Sequence, residues 1–596
     1  MMKRLASLLF LIALTGCQPS DAPSDREIQA LKARLAGAAS PDPGAAATGD
    51  SQLWEQTRDF YQRRQYQPVW IIDGKARDSV AALRTLLAAA GDDGLDPGRY
   101  DSDSLRTQIQ ALKEGAEPAA ATGLELALTA ALLRYGGDLA LGRPAMARQI
   151  DADWTVSPRT LDVVGIVLAA VADNQLAALP VRLAPPHAEY ARLKAMLQRY
   201  RKIAAEGKLQ PLAPDMALNL GQASPGLAAL RDNLRILGDL ADQPAGSGNV
   251  FAEDLARADA EFKDRHAAQP ERAADGAETA VIDTYDAGLA DAVRRFESRH
   301  GLNPDGLPDP AMIAAMNLSA QARADQLALN LERWRWLPAD FGTPHIFVNI
   351  PGFSLQVRGA NATIPLKMRV IVGKGTNRTP IFSDSMTKLV FSPYWNIPQS
   401  IEVKEMLPLI SKDSNYLNKN DIEVVRIVDG RAQVVDPVSI DWANAKDAGD
   451  FQLRQRPGGD NALGFVKFLF PNRHQVYLHD TPSDNLFDKL TRDLSHGCVR
   501  LEQPVELAAY VLRDQPEWTA ARIQAAMHAG KEEHVALTTP IAVHLVYLTA
   551  RVDEDGVPQF FDDVYGYDGK QQELSGASER TGAGNAEPAH DVATGR

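Results

Sequence analysis

Cysteine is almost missing from this chain, which carries only Cys17 and Cys498 among 596 residues. No disulfide framework can hold the fold, so it must rest on an apolar core. A composition of 45% hydrophobic and 23% charged residues is an ordinary globular supply for several domains. Positive charge is also in deficit, with 63 Lys and Arg against 77 Asp and Glu and a net charge of −14. That balance speaks against a nucleic-acid partner, which favours a basic face. HExxH and paired CxxC spacings are absent. His474, His479, His496 and Cys498 are the residues a zinc site would draw on, but without the spacing that marks one, so no metal and no cofactor is expected. Long apolar runs are missing too. Leu5 to Leu14 and Val163 to Ala172 are each too short to span a bilayer, and the second, set between Asp162 and Asp173, reads as a buried helix.

What is present begins with Lys3 and Arg4 ahead of the run Leu5 to Leu14, closing in Leu14-Thr15-Gly16-Cys17. Small residues before a cysteine resemble a bacterial lipoprotein signal, with residues 1–16 removed and Cys17 lipidated; the plainer alternative is a signal peptide with an incidental cysteine. Gln18 rather than Asp after the cysteine favours the outer membrane under the enterobacterial sorting rule. The expected location is the periplasmic face of the envelope. If Cys17 carries lipid, Cys498 is a lone thiol in an oxidising compartment, which favours a chemical use for it. Residues 17–50, rich in Ala, Pro, Gly, Ser and Asp, read as a flexible tether with a short helix near Arg26 to Leu35.

Apolar residues then recur at helical spacing from 51 to 220, as in Val80, Leu83, Leu86 and Leu87, or Leu193, Leu197 and Tyr200. This predicts an all-helical scaffold. A second helical module covers 221–319, broken by an acidic, alanine-rich insertion near 241–280, and 320–343 reads as a connecting helix. From His345 the period changes to alternation, with Ile346, Val348 and Ile350 and then Met368, Val370 and Val372, so strands take over through 344–568. Residues 401–450 interrupt them with helix and loop. The polar tail 569–596 is expected to be disordered. The fold class is therefore multidomain α+β, helical first and mainly β in its C-terminal domain.

Two short motifs carry chemistry. His479 ends the alternating run Gln475-Val476-Tyr477-Leu478, and Cys498 sits in Ser495-His496-Gly497-Cys498-Val499-Arg500, nineteen positions on (498 − 479). A thiol nucleophile needs a base, donors for an oxyanion and often a nearby cation. All three residue types are here. A free cysteine is more often a small buried hydrophobe, but glycine and polar neighbours suit an exposed turn better. The turn is read as leading into a helix from Pro504 to Leu512, which would aim backbone N–H groups at a substrate.

At these residues the chain resembles the L,D-transpeptidases, whose signature is a histidine followed later by S/T-H/x-G-C-x-R. Val370-Ile371-Val372-Gly373-Lys374, Thr379-Pro380-Ile381-Phe382, Ser392-Pro393-Tyr394-Trp395-Asn396-Ile397-Pro398 and Asn461-Ala462-Leu463-Gly464 are similar to its upstream segments. The resemblance covers most of the chain from about 50 to 568 and extends to a small three-helix peptidoglycan-binding domain at 221–319, for which wall binding and a purely architectural role both stand. It implies a sandwich-like sheet fold and a substrate-capping insertion at 401–450.

The resemblance further implies that Cys498 attacks a donor tetrapeptide of peptidoglycan, that His479 is base and then acid, and that the acyl-enzyme passes to a second stem as a 3-3 cross-link. It also implies that a neighbouring imidazolium raises the thiolate fraction. A carbonyl near Ser495 or His496 would orient the imidazole, and the N–H groups of Gly497 and Cys498 would form the oxyanion hole. Arg500 holds a substrate carboxylate or braces the loop, Tyr394 and Trp395 wall the donor groove or simply pack, and His496 tunes the thiol or fills space. The partners implied are peptidoglycan stem peptides and, through Cys17, a membrane. Alternatives are an L,D-carboxypeptidase, a lipoprotein-to-peptidoglycan anchoring enzyme, and, from another class, a non-catalytic wall-binding lipoprotein. One outcome follows from the leader alone: the mature protein partitions with membranes, and Cys17→Ser moves it to the soluble fraction, because several acyl chains hold a protein that one holds only marginally. Fractionation with immunoblotting checks this.

Overall fold

The computed structural model describes residues 23–37, 50–113, 118–155, 159–240, 284–413, 415–429, 431–440, 442 and 451–582. The leader, the Cys17 lipidation site and the tail beyond 582 lie outside the described residues. The chain divides into two units, one of Met1–Gly91, Leu95–Ala140 and Thr160–Ala184, the other of Asp92–Gly94, Leu141–Arg159 and Pro185–Arg596.

The first unit is helical because its apolar residues fall at helical spacing. Its opening helix, Asp25–Ala36, starts at Ser24 with a capping box to Glu27 and buries Leu31 and Leu35. The short helix expected near Arg26 to Leu35 thus forms, and it is docked rather than loose, since two leucines four apart share one face. Helix Val163–Ala172 forms as expected, capped by Asp162, whose carboxylate accepts the Gly165 N–H at 2.9 Å. A buried carboxylate organises the middle: Glu125 accepts the N–H groups of Val69, Trp70 and Ile71 at 2.6, 2.8 and 2.8 Å and the Tyr61 hydroxyl at 2.8 Å. Three consecutive backbone donors are thus satisfied by one side chain. Among the described residues no helix is long and apolar enough to cross a membrane.

The second unit does not begin where the helical pattern suggests. Residues of the expected 51–220 scaffold, including helix Ala188–Glu206, group with it, for a specific reason. Glu189 is buried between Arg551, at 2.6 and 2.9 Å, and Arg358, at 3.3 Å. Helices Leu227–Leu237, Ala287–Arg299 and Pro310–Asn317 follow, tied by a buried bidentate pair in which Arg299 donates to Asp239 at 2.7 and 2.6 Å. The expected connecting helix, Ala320–Arg335, is a core element instead: Leu327, Leu331, Arg333, Trp334 and Arg335 are all buried.

The strands of the C-terminal domain's main sheet and of its insertion are β1 (His345–Asn349), β2 (Ser354–Arg358), β3 (Leu366–Gly373), β4 (Phe382–Phe391), β5 (Trp395–Asn396), β6 (Ile422–Val428), β7 (Arg431–Val435), β8 (Gln452–Gln455), β9 (Val466–Leu469), β10 (Leu478–His479), β11 (Asp493–Ser495), β12 (Val499–Leu501) and β13 (Glu533–Val546), and a separate hairpin pairs Ala550–Val552 with Pro558–Phe560. In space they run β11-β3-β12-β10-β9-β4-β13-β1-β2, and β2 pairs back onto β3. The sheet therefore closes into a barrel rather than forming the two facing sheets of a sandwich, and only β11 lies outside the ring. Residues alternate along each strand, so Ile346, Val348, Leu355, Val357, Val370, Val372, Leu389 and Phe391 fill the interior.

The interruption is more than helix and loop. After a helical stretch from Gln399 to Ile410 it carries a sheet of its own, β5-β8-β6-β7, over a core of Ile397, Met406, Leu407, Ile410, Val424 and Leu453. The polar stretch from 569 is also helical as far as Gly582, because Tyr567 and Gln571 are buried and Gln571 accepts the Arg333 guanidinium at 2.9 Å.

Burial opposes the charge on Glu189, but Arg551 and Arg358 outweigh it and hold its pKa below the ordinary 4.5. Glu189→Gln should cost about 3–5 kcal/mol at neutral pH by stranding two buried cations. A depressed acid contributes stability above its unfolded pKa and loses it as pH falls through the folded value. The gap between wild type and variant should therefore stay constant from pH 7 to pH 5 and narrow only below pH 4.5. Denaturant titrations across that range measure it.

Candidate active site

The site is built by two very short strands. β10 and β12 pair in parallel, Leu478 beside Val499 and His479 beside Arg500, and the Val499 N–H donates to Tyr477 O at 3.1 Å. Leu478, Val499 and Leu501 are fully buried in the barrel core. By alternation, Tyr477, His479, Cys498 and Arg500 are turned to the other face together. The antiparallel partner of β10 adds Lys467, which lies directly opposite His479.

Cys498 is half-buried, and its thiol is within hydrogen-bonding reach of Tyr477. Burial pushes the thiol up to about 11, although contacts with Tyr477 and the Arg500 charge pull the other way. The imidazole of His479 moves in the opposite sense, down to about 3, through burial and then the positive charge of Arg500, with Lys467 adding to it. Both shifts favour neutral partners, so the resting pair is thiol and imidazole rather than the thiolate and imidazolium expected from sequence. His479 Nδ1 lies 2.5 Å from the carbonyl of Asp480, which fixes Nδ1 as the donor and leaves Nε2 as a free base. The orienting carbonyl is thus that of Asp480, not one near Ser495 or His496. Asp480 can serve because its carboxylate accepts the N–H groups of Phe465 and Thr481, both at 2.7 Å, which locks its backbone.

The turn before Cys498 is tied to itself. Ser495 Oγ donates to Cys498 O at 2.6 Å and accepts the Gly497 N–H at 3.1 Å. Gly497 has φ of +116°, where a side chain would be strained. Because its N–H is engaged by Ser495, the oxyanion donor of the expected pair that remains is the Cys498 N–H, which has no acceptor among the described residues. The helix expected from Pro504 forms there, as Pro504–Val511, but β12 stands between it and the turn, so its N-terminus does not serve Cys498.

Arg500 is pushed below its ordinary value by burial, and its Nε is buried with no hydrogen-bond partner. Among the described residues no hydrogen bond from its Nε braces the loop through this side chain. His496 points elsewhere: its Nε2 lies 2.8 Å from Glu405 Oε1, on the helical stretch of the insertion. Trp395 packs against the core of the insertion, and the Tyr394 ring lies under the Arg454 guanidinium at 4.1 Å. The Tyr394 carbonyl accepts Lys467 Nζ at 3.0 Å, which links it to the residue opposite His479. His474 lies against Phe382 with its ring tilted instead of joining the others, and no group of three or more His, Cys, Asp or Glu side chains among the described residues is placed to hold a metal.

Sequence reading named Tyr477 without giving it a role and passed over Lys467. A single lysine between apolar neighbours, Val466-Lys467-Phe468, was the available signal, since a strand with one charged outward position marks a polar face.

A thiol, an imidazole with a free Nε2 and a guanidinium whose Nε lacks a partner thus share one face of the barrel. Residues 343–532 match the YkuD family, an L,D-transpeptidase catalytic domain. Residues 55–197 match a scaffold domain and 273–316 a family described as "Putative peptidoglycan binding domain". The C-terminal domain thus matches an L,D-transpeptidase catalytic domain, and the helical part of the chain carries matches to a scaffold and a peptidoglycan-binding domain. A curated protein of Haemophilus influenzae named "Putative L,D-transpeptidase" is 36% identical over 243 residues, 41% of this chain and 48% of that protein. The chain thus spans about half the length of the curated relative it matches.

The raised thiol pKa has a direct consequence for alkylation. Well below a pKa of about 11 the thiolate fraction grows about tenfold per pH unit. Iodoacetamide should therefore modify Cys498 of the free protein about tenfold faster per unit between about pH 6 and pH 9, with no plateau at the acid end. Mass spectrometry of the Cys498 peptide measures this, and an acid plateau would reveal a stable ion pair.

Proposed function

We propose that the protein is a peptidoglycan L,D-transpeptidase that forms 3-3 cross-links between stem peptides through a thioester on Cys498. The observation that carries this reading is the shared face of Tyr477, His479, Cys498 and Arg500, with the buried Arg500 Nε lacking a partner. A half-buried guanidinium whose Nε lacks a partner fits an anionic ligand, here a stem-peptide carboxylate.

In this scheme His479 Nε2 takes the thiol proton as sulfur bonds to the diaminopimelate carbonyl carbon of a donor tetrapeptide. The oxyanion forms toward the Cys498 N–H. Collapse breaks the amide bond to the terminal D-alanine, whose nitrogen leaves with the proton from His479. The side-chain amine of a second stem then attacks the thioester and gives its proton to His479, and the thiol is restored as the new amide forms. The opposed pKa shifts suit this cycle, because a neutral imidazole is a competent base at neutral pH and the thiol ionises only as the bond forms. The leader pattern supports a lipid anchor at Cys17 and a site of action on the periplasmic face of the envelope, at the outer membrane. The peptidoglycan-binding match supports wall contact by the three-helix module.

Incubation with disaccharide-tetrapeptide muropeptides, followed by mass analysis, tests the reading. Wild type should release D-alanine and yield 3-3 dimers, and Cys498→Ala should lower the rate by at least about a thousandfold while keeping the thermal transition. Tripeptide monomers without dimers would instead make water the acceptor, and transfer only to a lysine-bearing lipoprotein would make it an anchoring enzyme. No turnover of any donor would favour a non-catalytic wall-binding lipoprotein.

A further inference from the structure

The Gly497 carbonyl and the Cys498 N–H belong to one planar peptide unit, so whatever fixes the direction of one fixes the other. Gly497 O accepts a hydrogen bond from Thr379 Oγ1 at 2.8 Å. Thr379 is fully buried, and its hydroxyl accepts the Gly373 N–H at 2.8 Å. The adjacent Tyr565 hydroxyl donates to Gly373 O at 2.6 Å and accepts the Thr379 N–H at 3.1 Å. With the tyrosine proton committed there, the threonine proton has Gly497 O as its acceptor. Tyr565 is held in turn: its N–H donates to Tyr547 OH at 2.9 Å, and Tyr547 OH donates to Asp563 at 2.6 Å. The loop has no slack, because a Cβ on Gly373 would lie 2.1 Å from Asn377 O and one on Gly497 would lie 3.4 Å from Arg378 O.

We infer that Thr379 is a positioning residue that aims the Cys498 N–H at the developing oxyanion. In a trans peptide the N–H points opposite the C=O, so holding Gly497 O against Thr379 turns the Cys498 N–H away from the Gly373 to Thr379 loop. A donor fixed in advance stabilises the oxyanion without reorganising during the reaction, and much of the benefit is lost when it must turn first. The inference rests on the acyl-transfer reading above and assigns to Thr379 the task of preparing its donor.

The test uses the full-length protein and compares Thr379→Val, which keeps the shape and removes the hydroxyl, with Thr379→Ser, which keeps the hydroxyl. Disaccharide-tetrapeptide turnover gives kcat and KM. Iodoacetamide alkylation of Cys498 runs in parallel; sulfur there displaces iodide at a saturated carbon and no oxyanion forms. Thr379→Val should lower kcat about 10- to 100-fold while KM and the alkylation rate stay within about twofold, and Thr379→Ser should recover most of kcat. If the valine variant does not fold, Thr379→Ala, which leaves a gap instead of a misplaced methyl, should show the same split. Unchanged kcat in the variant lacking the hydroxyl, an equal fall in alkylation and turnover, or a serine variant no better than valine would each overturn the inference while wild type stays active. A wild type inert toward the donor would overturn the transpeptidase reading and this inference with it.

Discussion

The whole site depends on one small pairing, two residues of β10 against three of β12. Burial of Leu478, Val499 and Leu501 in the barrel leaves no choice about where Tyr477, His479, Cys498 and Arg500 go. Crowding a thiol, an imidazole and a guanidinium onto one sheltered face then sets their charges. Burial and Arg500 keep His479 neutral, and burial keeps Cys498 protonated despite the same cation. A protonated thiol is a poor target for oxidants, whereas a resting thiolate would be exposed to the oxidation ladder. The arrangement stores reactivity until a carbonyl is in place.

The insertion and the loops around the barrel serve that face from outside. Asp480, locked by two backbone donors, orients the imidazole from the end of its own strand. Ser495 folds the turn before Cys498 onto itself. The contact between His496 and Glu405 ties the same turn to the insertion, so the segment that carries the thiol is shared between two layers of structure.

Much of this was legible because it is local. Periodicity found helix Val163–Ala172 between its two aspartates, and alternation found the onset of strands at His345. The motifs around His479 and Cys498, with their resemblance to a family signature, pointed to residues that the structure places on paired strands. What stayed hidden depends on partners distant in sequence. Closure of the barrel rests on Ser354–Val357 meeting Leu366–Arg369, a pairing no pattern in either segment announces. The polar helix from Tyr567 looks like a loose tail until Arg333 is seen to bind Gln571, and Glu189 looks like a surface residue until two arginines more than 150 positions away enclose it. The direction of a carbonyl, as at Asp480, is a backbone angle and leaves no trace in residue type.

The position of β13 in the ring also governs when the catalytic domain can exist. This strand lies between β4 and β1, pairing antiparallel with the first and parallel with the second. A nascent chain that has not reached Glu533 therefore carries two open strand edges and no closed sheet, however long its earlier strands have been available. Pairings across so much intervening chain are slow to form, because loop closure must precede any gain from contact. Synthesis thus leaves the sheet of this domain open until nearly its last strand has been made.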